Sequence, residues 1–468
     1  MSQSPDVQNN FALHPTVFVI LGITGDLASR KLLPALLGLY SKKLLPQRFA
    51  IIGFSRRTFS REEFREFIRE RINIRPGQFK EEDIKHFLDH MSYEQGLFDD
   101  PTAYARLAQK IAIIDKGWGQ CSNKLFHLSV PPSLYEGILS HISRSGLNVP
   151  CSDEAGWTRI LIEKPFGNDI HAARQLDKLL GKLFKEEQIF RIDHYLAKET
   201  LQNIVSFRFS NSMFEPIWQH EFIDKVHIKL YEKNSVEGRG AFYDSLGALR
   251  DVGQNHMLQM LALIAMNRPK SFTATDIRAE RARVLKSLVS VTRRTLAERV
   301  VRGQYMGYLN ETGVKPESKT ETFVRLESYI NMPRWKKVPF YLETGKAMSE
   351  SKAEIDIYFK NEEGNGQNIL TFRIQPDEGI KIRFFVKTPG QGFEVEPKTL
   401  KFKYADTSLS EQISNDYERL IRDAFIGDQT LFASTDEIMA SWEYVTPILE
   451  HWNELPLTTY PKGITEIE

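Results

Sequence analysis

The chain has 468 residues, more than one hydrophobic core usually serves, so we expect two domains. Hydrophobic residues make up 41% and charged residues 26%, a balance typical of globular proteins and not of disordered or fibrous ones. Lys plus Arg number 62 against 61 Asp plus Glu, so the net charge of +1 creates no overall field for nucleic acid or an anionic membrane, and we predict neither partner.

The pattern of apolar runs changes near residue 200. From 16 to 199, short β-rich runs alternate with helix-like stretches, which predicts a parallel, doubly wound α/β sheet. After 222, longer segments alternate apolar and charged residues and predict a large, mainly antiparallel sheet. Helical periodicity over 242–266, 276–291, 416–427 and 436–452 supplies covering helices, the last two over the other face of that sheet. We therefore predict a Rossmann-like domain over 1–198 and an α+β domain over 199–468.

A glycine turn follows the first apolar run. In TVFVILGITGDLASRK, residues 16–31, Gly22, Gly25 and the small Ala28 occupy Rossmann-like positions, although the spacing is GxxGxxA and not GxGxxG. Glycine lets the backbone approach a pyrophosphate, and the following helix presents unpaired N–H groups and partial positive charge to it. The segment predicts a dinucleotide phosphate site, with an ordinary strand-to-helix turn as the alternative.

The second strand ends in basic residues. Ser55, Arg56 and Arg57 stand where an NAD enzyme would place a carboxylate for the adenosine ribose. Guanidinium groups pair well with phosphate oxygens, so this end favours NADP over NAD. The alternative is a solvated basic turn.

Charged residues interrupt two later strands at their carboxyl ends, in EKPFG (163–167) and RIDHYLAKE (191–199). Such ends are where open α/β sheets bind ligands. His194, Tyr195 and Lys198 offer three donors suited to a phosphate monoester. Strict strand alternation would put His194 on the opposite face from Asp193 and Tyr195, so their convergence requires the chain to leave the strand near His194.

Asp251 and His256 stand at the head of a very apolar helix. Five residues at about 100° each would leave them roughly 140° apart in a regular α-helix. Either they flank the edge of a cleft, or the regular helix begins after Gly253. A lone histidine there is more typical of a buried core residue or a cap than of a catalytic base.

The two cysteines, Cys121 and Cys151, have neither CxxC spacing nor a nearby histidine, which argues against a disulfide scaffold or a metal site. The polar N-terminal segment lacks a basic flank and an apolar core, and no run reaches the roughly 20 apolar residues of a membrane span. We expect a cytoplasmic protein without a bound metal.

Six segments together resemble the glucose-6-phosphate dehydrogenase family: GITGDLASRK, EKPFG, RIDHYLAKE, EGRGAFYD, RDVGQNH and PFYLETGKA. They follow that family's order at comparable separations over about 16–450. The resemblance implies an oxidoreductase that uses NADP to convert D-glucose 6-phosphate at C1 to 6-phospho-D-glucono-1,5-lactone, the first step of the oxidative pentose phosphate pathway. It also implies a homodimer or dimer of dimers, formed through the second domain.

The resemblance further implies roles for individual residues. His256 would be the general base and Asp193 its orienting partner, a pairing that suits proton abstraction near neutral pH. The Lys164–Pro165 bond would be cis. The implied substrate-binding residues are Lys31, Lys164, His194, Tyr195, Lys198, Glu232, Asp251 and Lys346. The implied cofactor-binding residues are Gly22, Ile23, Thr24, Gly25, Asp26, Leu27, Ala28, Arg56, Tyr135 and Lys164.

Three departures from the family pattern carry expectations. Glu343 and Asp356 replace arginines that hold a second, structural NADP in animal members, although Lys352 is kept, so we predict that this site is absent. The chain ends at Glu468, short of the usual C-terminal extension, which points the same way. Ser351 replaces a basic residue that lies near the substrate phosphate in many family members, so we predict that the substrate phosphate is bound modestly more weakly.

Two other functions stay open at this point. One is a dehydrogenase of broader specificity that also accepts free glucose or galactose 6-phosphate. His194 and Lys198 favour a phosphorylated sugar as the substrate. The other is a non-catalytic protein that senses sugar phosphate or NADP. Because both Asp193 and His256 are present, an enzyme is favoured over such a sensor. A nucleic-acid or scaffold role finds no basic stripe, repeat or low-complexity tail.

Overall fold

A computed structural model describes residues 14–72, 74–151, 156–361, 366–407 and 415–467. Most of the N-terminal segment considered above for a targeting signal lies outside these residues. The described residues form two compact units. The first comprises those within 1–167, 171–197 and 414–433, and the second comprises those within 168–170, 198–413 and 434–468.

The regular elements of the described chain are as follows. The strands are β1 (Thr16–Leu21), β2 (Phe49–Ser55), β3 (Met91–Gln95), β4 (Asn123–Leu128), β5 (Thr158–Glu163), β6 (Ile189–Ile192), β7 (Ile223–Tyr231), β8 (Val300–Tyr305), β9 (Phe323–Ser328), β10 (Phe340–Gly345), β11 (Lys352–Phe359), β12 (Ile369–Gln375), β13 (Gly379–Lys387), β14 (Val395–Lys403), β15 (Phe432–Ala433) and β16 (Leu457–Tyr460). The α-helices are α1 (Leu33–Ser41), α2 (Arg61–Arg71), α3 (Glu81–Asp89), α4 (Pro101–Trp118), α5 (Tyr135–Arg144), α6 (Ile170–Leu183), α7 (Glu199–Ser210), α8 (Gly240–Tyr243), α9 (Leu258–Ala265), α10 (Ala274–Lys286), α11 (Leu296–Arg299), α12 (Asp416–Ile426) and α13 (Thr435–Glu450). Two π-helices span Ala28–Leu32 and Leu249–Met257.

The first unit is built on a seven-stranded sheet in the order β15-β6-β5-β4-β1-β2-β3. Strands β1 to β6 are parallel, and β15 adds an antiparallel edge to β6. Every residue of β1 and of β4 is buried, as a parallel sheet covered on both faces requires. The predicted Rossmann-like fold is therefore confirmed. Strand β3, MSYEQ, is a short, polar edge strand that leaves no apolar run in the sequence.

Helix α12 belongs to the first unit, so the expectation that it covers the second sheet is wrong. It packs against α1. The Glu418 carboxylate on α12 accepts a hydrogen bond from Lys42 Nζ at 2.6 Å. The apolar stripe of α12 predicted a covering helix correctly, but periodicity does not say which sheet a helix covers.

The second unit is built on a nine-stranded sheet in the order β14-β13-β12-β11-β7-β10-β9-β8-β16. Most neighbours are antiparallel, as predicted, but β10 runs parallel to β7 and β16 runs parallel to β8. Strand β12 alternates buried and half-buried residues, as a sheet packed mainly on one face requires. Helix α7 packs on β12, and the π-helix Leu249–Met257 packs on β9 and β10.

Cys121 and Cys151 form a disulfide within the first unit, which corrects the expectation from their spacing. Cys121 precedes β4 and Cys151 precedes β5, and these strands are parallel neighbours. The pairing brings the amino ends of both strands to one edge of the sheet, where the two Cα atoms lie 6.4 Å apart. Within the described residues, none of the helices combines the length and apolar character needed to cross a bilayer.

Candidate active site

The glycine turn lies at the carboxyl end of β1. Gly22 has φ +89°, and a Cβ there would lie 2.2 Å from the Ser129 carbonyl oxygen, so only glycine fits. The Gly25 N–H donates to the Gly22 carbonyl at 2.9 Å and closes the turn. Ala28 is buried and begins the first π-helix, on which Lys31 is exposed. This compact strand, turn and helix is the arrangement that binds a pyrophosphate through backbone N–H groups.

The arginines after β2 differ in their surroundings. Ser55 is buried, and its hydroxyl lies 2.8 Å from that of Tyr93. The Arg57 guanidinium lies over the Phe67 ring, 5.4 Å from its centroid. Arg56 is exposed. Arg57 is exposed as well, so the two arginines differ in the ring contact of Arg57 and not in their exposure. Both guanidinium groups are presented to solvent, where a 2′-phosphate could meet them.

The carboxyl end of β5 is held by a buried cluster around Glu163. The Glu163 Oε1 atom lies 3.2 Å from His127 Nε2 and accepts a hydrogen bond from the Tyr417 hydroxyl at 3.1 Å. The Tyr135 hydroxyl donates to the Glu163 carbonyl at 3.0 Å. The next peptide bond, Lys164–Pro165, is cis, as the resemblance implied. Tyr135 is buried, which favours a supporting role beneath this strand end over the direct NADP contact that the resemblance implied.

The carboxyl end of β6 turns sharply after Ile192. The Asp193 Oδ1 atom accepts the Tyr195 N–H at 3.0 Å, and the Asp193 carbonyl accepts the Leu196 N–H at 3.0 Å. The strand thus ends before His194, and the rings of His194 and Tyr195 lie with their centroids 5.0 Å apart. The geometric requirement stated for this segment is met, because the turn brings these two side chains together. Lys198 is the N-cap residue of α7, in the second unit.

A cleft of about 250 Å³ opens in the second unit beside the ends of β7 and β10. Because these strands are parallel and Tyr231 is paired with Gly345, the residues that follow them meet. Lys346 Nζ lies 2.8 Å from Glu232 Oε2 and 5.0 Å from the centroid of the Tyr243 ring. Asp251 also lines the cleft. Three of the predicted substrate-binding residues, Glu232, Asp251 and Lys346, thus surround one cleft.

The segment that carries Asp251 and His256 is a π-helix, and regular α-helix begins only at Leu258. Hydrogen bonds in a π-helix join residues five apart, so residues with this spacing lie on one face. Of the two alternatives stated above, the structure agrees with the second, because regular α-helix begins after Gly253, at Leu258, and the separation of roughly 140° does not apply. His256 is buried, and the Asn255 side chain donates to the Asp251 carbonyl at 3.0 Å.

The predicted site residues divide between the two units. The first unit holds the glycine turn, Arg56, Lys164, Asp193, His194 and Tyr195. The second unit holds Lys198, Glu232, Asp251, His256 and Lys346. The pairing of Asp193 with His256 stays a prediction.

Two family models match nearly the whole chain. The model described as "Glucose-6-phosphate dehydrogenase, NAD binding domain" matches residues 19–203. The model described as "Glucose-6-phosphate dehydrogenase, C-terminal domain" matches residues 205–467. The chain belongs to the glucose-6-phosphate dehydrogenase family. It is therefore an oxidoreductase with an NAD(P)-binding domain, and its family uses NADP.

Curated relatives and solved structures agree with this assignment. The glucose-6-phosphate 1-dehydrogenase of Aggregatibacter actinomycetemcomitans is 41% identical over 449 residues, which cover 92% of this chain and 90% of the relative. That of Chlamydia pneumoniae is 37% identical over 471 residues, 96% of this chain and 91% of the relative. A solved glucose-6-phosphate dehydrogenase in complex with its substrate glucose 6-phosphate matches with a TM-score of 0.90 and 34% identity, covering 97% of this chain and 96% of the other.

This chain has two carboxylates, Glu343 and Asp356, where animal family members carry the arginines of the second, structural NADP site. Glu343 lines a cleft of about 410 Å³ on the sheet of the second unit. Burial acts to raise the pKa of Glu343, but hydrogen bonds from His227 and Tyr231 outweigh it and hold the pKa below its usual value. Asp356, on β11, accepts a hydrogen bond from Thr371 at 2.6 Å. Carboxylates here would repel phosphate groups, so the predicted absence of this site remains our prediction.

Tyr243 and Glu163 were missed as candidate site residues by the sequence analysis. Tyr243 lines the cleft and lies under the Lys346 ammonium group, but the surrounding EGRGAFYD segment gives no signal that separates it from a core aromatic residue. Glu163 stands in EKPFG, and its position directly before Lys164 could have drawn attention to it. Its partners His127 and Tyr417 come from distant parts of the chain and left no local signal.

Proposed function

We propose that the chain oxidises the C1 hydroxyl of D-glucose 6-phosphate with NADP and forms 6-phospho-D-glucono-1,5-lactone, the first step of the oxidative pentose phosphate pathway. The observation that carries this proposal is the cleft bounded by Glu232, Asp251 and Lys346. Two carboxylates and an ammonium group around a small polar cleft suit a charged substrate rich in hydroxyl groups. The solved relative with bound glucose 6-phosphate supports the same substrate.

The cofactor residues of the first unit fit NADP. A side chain at position 22 would collide with the Ser129 carbonyl, so the turn keeps its backbone free to approach a pyrophosphate. The exposed Arg56 guanidinium would hold the 2′-phosphate, with Lys164 near the reacting end. NADP, when bound, supplies the nicotinamide ring that accepts a hydride from the sugar.

His256 acts in this proposal as the general base. Its imidazole takes the proton of the C1 hydroxyl, which an imidazole can do near neutral pH. The π-helix supports this role because it sets His256 on the same helix face as Asp251, a residue of the cleft wall. Asp193 holds the imidazole in the useful tautomer and stabilises the imidazolium that forms.

The remaining residues bind the sugar phosphate. His194, Tyr195 and Lys198 donate hydrogen bonds to the phosphate, and the turn after β6 supports this role because it aligns the first two. Glu232 and Asp251 accept hydrogen bonds from the sugar hydroxyls. Lys31 and Lys346 add positive charge at or near the substrate. A sugar that lacks a matching hydroxyl would leave a carboxylate unpaired, which provides the selectivity.

We propose the same functional division as the sequence predicted, with 1–198 as the NADP-binding domain and 199–468 as the substrate and dimerisation domain. The segment 415–433 then adds to the first of these. A homodimer or dimer of dimers and a cytoplasmic location complete the proposal.

The deciding experiment follows near-ultraviolet absorbance as the nicotinamide is reduced. The parent chain should reduce NADP with glucose 6-phosphate and much less with free glucose or galactose 6-phosphate. His256→Asn should lower kcat by about 10²- to 10⁴-fold, the usual contribution of a general base, while the Kd of glucose 6-phosphate changes little. Turnover near that of the parent would remove His256 as the base.

His451→Asn is the matched control. His451 lies after α13, half exposed, and its Nδ1 atom is 3.1 Å from Glu454. The same substitution there should leave kcat within about twofold of the parent, since His451 does not line the cleft.

A further inference from the structure

Glu321 is a buried carboxylate for which the mechanism above has no use. It lies just before β9 and is 1% exposed. Its Oε1 atom accepts the Leu249 N–H at 3.0 Å, and its Oε2 atom accepts the Trp452 indole N–H at 3.0 Å. Its carbonyl oxygen accepts the Ala248 N–H at 3.1 Å and the Tyr243 hydroxyl at 3.3 Å.

These contacts fall at the beginning of the π-helix that carries Asp251 and His256. The first N–H groups of a helix have no partner within the helix. Glu321 provides two of these partners, its carbonyl for Ala248 and its carboxylate for Leu249, from a distant part of the chain. Negative charge is also favoured at this end by the helix dipole. Glu321 thus acts as an N-cap supplied from outside the helix.

The chain makes room for this carboxylate with a glycine. Gly247 has φ +76°, and a Cβ there would lie 2.4 Å from Glu321 Oε1. Any other residue would therefore be strained and would push the carboxylate away from the helix. Both the backbone conformation and the space at Gly247 are matched to the cap.

The residue after Glu321 reaches the other wall of the cleft. The Thr322 carbonyl accepts the Lys346 N–H at 2.9 Å. The Thr322 hydroxyl lies 2.8 Å from the Tyr460 hydroxyl, which donates to the Lys346 carbonyl at 2.8 Å. The dipeptide Glu321–Thr322 therefore joins the start of the helix to the strand end that presents Lys346.

We propose that Glu321 is a positioning residue that fixes the π-helix, and with it Asp251 and His256, relative to Lys346. Its effect on catalysis rests on the proposed function. Burial, which outweighs the hydrogen bonds to Leu249 and Trp452, raises the pKa of Glu321, so an ionised carboxylate here costs folding stability. A side chain selected for stability alone would be neutral.

The first test is Glu321→Gln. Glutamine keeps the size of the side chain but has only one acceptor oxygen. Its NH₂ group must therefore face the N–H of either Leu249 or Trp452, donor against donor, and one of the two hydrogen bonds is lost. We expect kcat/KM for glucose 6-phosphate to fall about tenfold or more, as for a lost helix cap at a site that needs its geometry. The Kd of NADP should stay at the parent value, since the cofactor residues lie in the first unit. The Tm should change little, because removal of a costly buried charge offsets the opposed N–H groups.

The second test is a rescue. Trp452→Phe removes one of the two donors and alone should change kcat/KM by no more than about threefold. In the double variant Glu321→Gln/Trp452→Phe the amide oxygen is free to accept the Leu249 N–H. We expect the double variant to be more active than Glu321→Gln alone, a sign of coupling that a general loss of stability would not give.

Hydrogen exchange supplies a readout that does not depend on activity. Backbone amides of a peptide covering 244–258 should exchange faster in Glu321→Gln and return toward the parent rate in the double variant. Unchanged kcat/KM in Glu321→Gln, or a fall that tracks Tm without rescue, would overturn the proposal. If the parent does not oxidise glucose 6-phosphate, the proposed function fails, and the exchange rates alone decide whether Glu321 caps the helix.

Discussion

Lys346 and Glu232 face each other across the ends of two parallel strands, with 2.8 Å between Nζ and Oε2. The pair lies beside the Tyr243 ring in the wall of the cleft. A similar trio occurs elsewhere in the second unit, where Lys462 Nζ is 3.4 Å from Glu311 and 4.9 Å from the Tyr305 ring centroid. The same chemistry thus occurs both in the cleft and outside it, which allows a controlled comparison.

Lys346→Met should lower kcat/KM for glucose 6-phosphate by about 30- to 100-fold, corresponding to ~2–3 kcal/mol for a lost hydrogen bond to a charged group. It also leaves Glu232 without its cation at the cleft. Steady-state kinetics at saturating NADP measures the change. Lys462→Met removes an equivalent ammonium group outside the cleft and should leave kcat/KM within about twofold of the parent. Equal losses in the two variants would mean that Lys346 acts only through folding.

Arg56→Ala should raise the apparent KM for NADP at least about tenfold and that for NAD less than about twofold, because only NADP carries the 2′-phosphate. The two cofactors are compared in the same absorbance assay. Arg57→Ala is the control, since its guanidinium packs on Phe67 and its loss should affect both cofactors alike. An equal rise for NADP and NAD in Arg56→Ala would refute the 2′-phosphate role.

The stability of the first unit should depend on the protonation of Asp423, on α12. Burial first, and then the like charge of Asp428, raise the pKa of Asp423 to about 7. The folded chain therefore binds this proton more tightly than the unfolded chain, so stability falls as pH rises from about 4 toward 7. Asp423→Asn removes this cost, and we expect a larger gain in Tm at pH 8 than at pH 5. At pH 8 the gain in the free energy of unfolding should be about 4 kcal/mol at most.

Differential scanning calorimetry at the two pH values measures this difference. Asp436→Asn is the control, because that carboxylate is exposed and pairs with Lys286 on the surface, so its removal should change Tm little at either pH. A gain for Asp423→Asn that is the same at pH 5 and pH 8 would contradict the assignment.

Each chain should bind one NADP. Glu343 is held ionised by His227 and Tyr231, and a phosphate placed beside it would meet like charge. Equilibrium dialysis with the parent chain should therefore saturate at one NADP per chain. A second molecule bound at comparable affinity would show that this sheet face accepts the cofactor after all.

The sequence predicted elements best where burial leaves a pattern. Strands β1, β2 and β4 to β6 coincide with apolar runs, as in a parallel sheet covered on both faces. Strand β3 is polar and has no apolar run. In the second unit, β7 and β13 alternate clearly. Strand β10 leaves a weaker pattern, because its buried Glu343 and Thr344 interrupt the apolar run.

The site was predicted from strand ends and motifs, but its geometry depended on features that a sequence does not reveal. Glu232 and Lys346 meet because β7 and β10 run parallel inside a mostly antiparallel sheet. Asp251 and His256 share a helix face because the segment is a π-helix, to which the α-helical separation of roughly 140° does not apply. Glu321 caps that helix from 72 positions away along the chain, beyond the reach of any local pattern.

The return of 415–433 to the first unit has a consequence for biosynthesis. Strand β15 completes the edge of the sheet at β6, and Arg159 donates to the carbonyl groups of Ala424 and Phe425 at 2.8 and 2.7 Å. A ribosome must therefore translate nearly the entire message before the nucleotide-binding half can close, even though that half is encoded first. Nascent chains of this enzyme cannot finish one half before starting the other, and gene fragments that stop near codon 200 should yield an incomplete, aggregation-prone product.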